Sequence, residues 1–256
     1  FVADEFVTEG RSPGSRGEAI SSKYIFSILE GLLGTEFVQE QGVPLEKVSV
    51  AGTFSPLRVV VAGDEKEIPP KDGLVGTTDL KGFVSLDGTE EVVFVGHGIC
   101  GCEESPSWDD WKGLDVRGKV VICLGGQPKN FPSRLSYGAR WCFKHEEARR
   151  RGARACFVIH TRDRFGYGWN VLSSTYSGDC TRLSSTSSTM CFAGFLEEKA
   201  AETLATSCGS SLKTWFEISE NSEFSPVLLR ASFKLSANFH VVQVTGKNVI
   251  GLIKGR

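Results

Sequence analysis

Stretches with a helical period alternate along this chain with short apolar runs, and their order carries its organisation. From Glu18 to Leu33 apolar residues recur at four-residue spacing (Ile20, Tyr24, Ile28, Leu32), and Leu29 and Leu33 widen the stripe. This predicts an amphipathic helix with Gly34 as its cap. The turn cluster Gly10-Arg11-Ser12-Pro13-Gly14-Ser15-Arg16-Gly17 leads into it. Strand-like pieces follow at Glu36–Gln39, Lys47–Val50 and Leu57–Val61. After the loop Ile68–Gly73 come two nearly unbroken apolar runs, Glu91–Gly96 and Lys119–Leu124, which predict central strands. A helix is expected from Ala139 to Arg151, burying Phe143, the stem of Glu147 and Ala148, and the strand Ala155–Ile159 follows it. The Ser/Thr tract Leu183–Thr189 is loop-like. Glu197–Cys208 predicts another helix, with Ala200, Ala201 and Leu204 inward and Gly209 as its stop. Phe233–Thr245 alternates as a half-exposed strand, Gly246-Lys247 is expected to turn the chain, and Asn248–Ile253 reads as a buried strand.

The two ends add to this. In α/β sheets the chemistry sits in the loops after the strands, and this sequence reaches such a strand and stops at Arg256. It also begins without a methionine, at Phe1. Both features are expected of a piece of a larger protein, namely a non-catalytic piece.

Composition narrows the class. With 40% hydrophobic and 23% charged residues the chain falls among globular proteins rather than disordered or collagen-like ones. A formal net charge of −2 offers no electrostatic footprint for nucleic acid. Arg149-Arg150-Arg151 is the only basic run, and it suits the cation-favouring last turn of a helix. No apolar stretch approaches the roughly 20 residues of a membrane helix.

Candidate chemistry is sparse. The eight cysteines are many for a cytosolic domain and few for a disulfide scaffold. His97, Cys100 and Cys102 can be drawn as a metal site, but Cys-x-Cys lacks the second ligand pair of a zinc motif. Free thiols or a disulfide to another cysteine fit it better, whereas Cys123 and Cys156 sit in apolar runs as small buried side chains. Asp109, Asp110 and Asp115 form an acidic cluster between tryptophans and before Lys112, Arg117 and Lys119. Turn capping and pairing with those cations are the expected roles. His97, His145, His160 and His240 lie far apart, and none has a ligand partner at HxxxH or HxD spacing. Arg11 and Pro13 fit a fixed turn at a domain edge.

Specific segments carry a family resemblance. Val93-Phe94-Val95-Gly96-His97-Gly98-Ile99 and the following Trp108 to Val121 resemble the protease-associated (PA) domain of co-catalytic di-zinc aminopeptidases. That superfamily includes leucyl aminopeptidases, glutamate carboxypeptidases and transferrin receptors. Tyr137 to Ala148, with Gly152-Ala153, resembles the helix of that insert. Gly10 to Gly17 with its helix resembles the opening of the peptidase domain, and Phe224-Ser225-Pro226-Val227 with Asn248-Val249-Ile250-Gly251 resembles the return to it.

The resemblance implies an α/β fold in which residues 63–232 form a PA domain, a small twisted sheet or open barrel with flanking helices. Residues 1–62 and 233–256 would be the incomplete start and the return strands of a three-layer zinc-peptidase domain. It implies peptide hydrolysis with two zinc ions in the parent protein, acting on a peptide substrate together with the remainder of the peptidase domain. The family's ligand loop, of Ala-His-x-Asp type, matches no position here. Catalytic, cofactor-binding and metal-ligating residues are therefore all expected to be absent, with no zinc in this chain. Two alternatives stay open: a non-catalytic receptor on the same scaffold, or a PA-type sorting module. A homo-oligomer and a secreted or endomembrane setting are further expectations of the resemblance.

Overall fold

Runs that are apolar at every position need cover on both faces, and this chain builds a sheet that supplies it. In the computed structural model, which describes residues 10–51, 54–101, 108–129, 131, 137–184 and 190–255, two compact units emerge. The larger comprises 49–180 and 187–240; the smaller comprises 1–48, 181–186 and 241–256.

Several elements belong wholly to the larger unit. They are β2 (Leu57–Val61), β3 (Asp64–Ile68), β4 (Leu74–Thr77), β5 (Gly82–Asp87), β6 (Val92–Phe94), β7 (Val120–Leu124), α2 (Trp141–Arg150), β8 (Ala155–Ile159), α3 (Arg162–Phe165), α4 (Trp169–Thr175), β10 (Phe192–Leu196), α5 (Glu198–Ser207), α6 (Leu212–Ser219) and β11 (Val227–Leu229). One sheet has the order β11-β6-β7-β8-β10-β4, with β6, β7, β8 and β10 parallel and an antiparallel strand at each edge. Every residue of β7, β8 and β10 is buried. Alternate side chains divide the work. Val121, Cys123, Cys156, Val158, Ala193 and Phe195 pack with Ala148 of α2, Leu172 of α4 and Trp111. Phe157 and Phe192 instead meet Phe233, Phe239 and Phe54 at ring separations of 5.3–6.4 Å.

Phe233 and Phe239 lie on β12 (Ser232–Gly251), whose residues up to His240 belong to this unit. There β12 pairs antiparallel with both β2 and β5, forming a second sheet. The smaller unit contains α1 (Arg16–Leu33), the 38–48 part of β1 (Val38–Val50), the 181–183 part of β9 (Cys180–Leu183) and the later part of β12. Ser15 caps α1 by accepting from the Glu18 amide at 3.1 Å.

Four expectations need correction. Glu36–Gln39 and Lys47–Val50 are not separate strands: Thr35–Phe37 is a 3₁₀ turn, and one strand runs from Val38 through Pro44 to Val50. Gly246-Lys247 does not turn the chain, because β12 continues through it. A Cβ at Gly246 would come within 2.7 Å of Leu45 Cδ1, so this glycine admits a neighbouring side chain to the strand. The run at 248–253 is not buried, since Leu252 and Ile253 are 57% and 78% exposed. Gly251 does face α1, where its Cβ would meet Leu33 and Leu29. On α1 itself the predicted stripe points outward, with Leu32 74% exposed and Tyr24 and Ile28 also exposed. Its buried positions are the small residues Gly17, Ser21 and Ser22, which allow close approach.

Candidate functional site at the carboxyl edge of the parallel strands

The four parallel strands of the larger unit run out side by side. β6 leads to His97, β7 to Gly125-Gly126-Gln127, β8 to His160-Thr161 and β10 to Glu197. This edge is where α/β sheets hold ligands.

A buried lysine ties it together. Lys144 of α2, 1% exposed, donates from Nζ to the carbonyls of His97 and, at 2.8 Å, Gly126, so one ammonium joins the loops after β6 and β7. Burial pulls its pKa down to about 8, against the pull of nearby Cys123 and Asp110. The helix buries Ala148 as expected and leaves the Glu147 side chain only 17% exposed, but it also buries Lys144 and His145, while Phe143 is only half-buried.

His97 is fully buried, and neither ring nitrogen has a hydrogen bond to a described residue. Burial, then the charges of Lys144 and Arg164, hold it well below the usual imidazole range, although the Gly125 and Gly126 carbonyls act the other way. Its ring is therefore neutral at physiological pH. His145 donates from Nε2 to the Gly194 carbonyl at 3.1 Å, and burial pushes it down to about 4. His160 contacts the Tyr167 carbonyl at 3.0 Å. His240 is exposed on β12.

The acidic cluster divides into three separate tasks. Asp110, 2% exposed, accepts from the Ile99 amide at 2.9 Å and the Trp108 indole at 2.8 Å, and burial raises its carboxyl to about 6. Asp109 caps the Trp111 amide at 2.9 Å. Asp115 takes the Arg117 amide and guanidinium and is held down to about 2 by those bonds. Trp111, 1% exposed, is overlaid by the Arg151 guanidinium at 4.8 Å, so the arginine run serves partly as a lid on this knot.

Cys100 is exposed and receives a weak contact from Arg151 at 3.7 Å, while Cys102 lies outside the described residues. Among the described residues no group of three or more His, Cys, Asp or Glu side chains could hold a metal ion.

Beside this edge lies a cavity of about 670 Å³, lined by residues that follow β7 and β8 and by the start of α2. Its wall depends on Gly125. A Cβ there would collide with the Phe165 ring, so the glycine lets α3 lie against the end of β7. Sequence reasoning missed Lys144, Gln127, Arg140, Asp163 and Arg164. The one available signal was the glycine pair directly after the apolar run of β7.

No family model matches the chain, and no curated protein matches it. Among solved structures it is similar to an aminopeptidase from Aneurinibacillus sp. strain AM-1, at 17% identity and a TM-score of 0.45, covering 96% of this chain and 45% of that one. A zinc aminopeptidase from Bacillus subtilis gives 13% identity and 0.37, covering 96% and 43%. A peptidase M28 precursor from Shewanella amazonensis gives 15% and 0.42, covering 100% and 50%. The chain spans half or less of the length of these proteins, and at TM-scores below 0.5 the likeness by itself assigns it neither fold nor activity.

Proposed function

We propose that the chain is a scaffold portion of a zinc-dependent aminopeptidase-like protein, with a PA unit inserted into the opening of the peptidase domain. The observation that carries this reading is the order of the units. Residues 1–48 and 241–256 fold into one unit, and nearly everything between them forms another. Such an order suits an insertion, and it runs parallel to the order of the PA-like and peptidase-like segments in the sequence. The three solved structures named above are peptidases by name, which agrees with the reading without carrying it.

Zinc belongs to this proposal only through the parent protein. The described residues supply no ligand set, so no step of hydrolysis is assigned to them. The chain's own contribution is a unit that shapes access to a substrate site. The purified chain, supplied with zinc, should not hydrolyse an amino-acid p-nitroanilide. In the parent gene, a His-x-Asp pair should follow shortly after Ile253. Zinc-dependent turnover by this chain alone, or a parent in which no such ligand loop follows, would overturn the reading.

A further inference from the structure

We infer that a second cavity, beside the edge strand β4, binds a medium-chain fatty acid whose carboxylate accepts from the Tyr176 hydroxyl and whose alkyl chain lies on an apolar floor. The inference does not depend on the peptidase reading, because every residue that lines this cavity lies within the larger unit.

The cavity holds about 460 Å³, within the usual range of small-molecule sites. Pro70, Leu74 and Val75 form one wall, Phe54 a second, and Tyr176 with the residues that follow it a third. Measured contacts fix these walls. The Trp169 indole, at the start of α4, donates to the Lys71 carbonyl at 2.7 Å, and the Lys71 amide donates to the Leu74 carbonyl at 2.8 Å. Together they clamp α4 to the turn before β4. Phe54 stands edge-on to Phe192 at 5.3 Å and to Phe239 at 5.5 Å. Tyr176 packs its ring on Phe195 at 5.6 Å, and its amide donates to the Leu172 carbonyl at 3.0 Å.

Tyr176 supplies the polar contact. A tyrosine packed into a core ordinarily finds a partner for its hydroxyl. This hydroxyl forms no hydrogen bond with a described residue, yet it keeps accessible surface, unlike the sealed polar atoms of Ser21 and Thr77. A ligand can therefore reach it. Burial pushes the phenol well above its ordinary range, so the hydroxyl stays protonated and offers its hydrogen to an acceptor.

Charge selects the kind of acceptor. Lys71 lines the cavity, is exposed, and forms no ion pair with a described residue, whereas Asp179 is already engaged. A wall with a cation to spare favours an acid over the alcohol of the same chain.

Calorimetry with the whole chain tests this, using octanoate, decanoate and 1-decanol below their aggregation limits. Decanoate should bind about tenfold more tightly than octanoate, because its longer chain takes more methylenes out of water. The alcohol, which keeps the chain and loses the charge, should bind more weakly than decanoate. Tyr176→Phe removes a hydroxyl that the fold does not use, so the urea midpoint should hold while decanoate affinity falls by about tenfold or more. Leu32→Ser, which trims the exposed stripe of α1, should leave that affinity unchanged. The inference is overturned if decanoate does not bind, if 1-decanol binds as well, or if Tyr176→Phe binds like the wild type. Loss of binding in Leu32→Ser would also overturn it, by placing the alkyl chain on α1.

Discussion

The two units of this chain are held together by different forces. In the larger, β7, β8 and β10 bury every side chain, and order follows from apolar surface removed from water on both faces of a sheet. In the smaller, polar groups take that part. Glu46, nearly buried, accepts from Arg182 at 2.7 Å and from Gln243 at 2.7 Å. Glu18 takes the amides of Gly14 and Lys247, and Lys247 also reaches Glu40 at 3.0 Å. Burial of apolar area is non-directional and is not screened by salt, whereas these contacts need correct geometry and weaken with screening. The difference teaches that the two units should respond to different perturbations, and five experiments can break or sharpen that contrast.

The largest effect should come from the apolar side. Phe157→Ala removes a fully buried ring and should cost about 3–5 kcal/mol in urea unfolding monitored by tryptophan fluorescence. A loss under about 1 kcal/mol would mean that the phenylalanine layer between the two sheets is not what holds the larger unit.

Next is the acid response of that unit. Folded His145 titrates near 4 and an unfolded histidine near 6.5, so between these values the unfolded chain binds the proton that the folded one refuses. Stability should therefore fall as pH drops through this window, by up to about 3 kcal/mol from this group. His145→Gln should lose distinctly less than the wild type between pH 6.5 and 4.5, and equal losses would remove His145 as the cause. Lys144 has the same sign at higher pH: folding disfavours its charged form, so stability should rise from about pH 8 toward 10.5, and Lys144→Met should flatten that rise.

In the smaller unit, Arg182→Ala leaves the Glu46 carboxylate short of its cation and should cost about 1–3 kcal/mol locally. Hydrogen exchange should quicken in 38–48 and 241–247 while the amides of β7 and β8 stay protected. If both regions quicken together, the two units unfold as one and the contrast fails. The smallest effect belongs to Lys247→Ala, whose ion pair with Glu40 is about one-third exposed and should contribute under about 1 kcal/mol, less at high salt.

How much the sequence revealed follows the same division. β8 lay where its apolar run placed it, because a strand covered on both faces needs no partner information to be recognised. β1 and β12 were read as fragments, β12 because Gly246 looks like punctuation. Only the neighbour packed on Gly246, Leu45, shows that the glycine makes room rather than a turn. Lys144 was invisible for a similar reason: a lysine on a helix is ordinarily solvated, and nothing local announces that two carbonyls from other elements await it. Arg140 and Asp163 meet one cavity only through the crossover between parallel strands, a relation that no short window of sequence contains.

The position of β4 has a consequence for how the molecule is made. Its partner in the sheet is β10, where Thr77 meets Ala193, so its hydrogen-bonding edge has no mate until synthesis has passed Leu196. At ordinary translation rates that wait is of the order of ten seconds. Through it, Leu74 and Val75, which end up sequestered, sit on a nascent chain with an open strand edge. Slow closure of a long-range pairing of this kind raises the barrier to folding and the hazard of intermolecular strand addition. Ribosome-bound chains ending before residue 192 should therefore recruit holding chaperones, and chains extended past residue 229, where β11 has also been made to pair with β6, should release them.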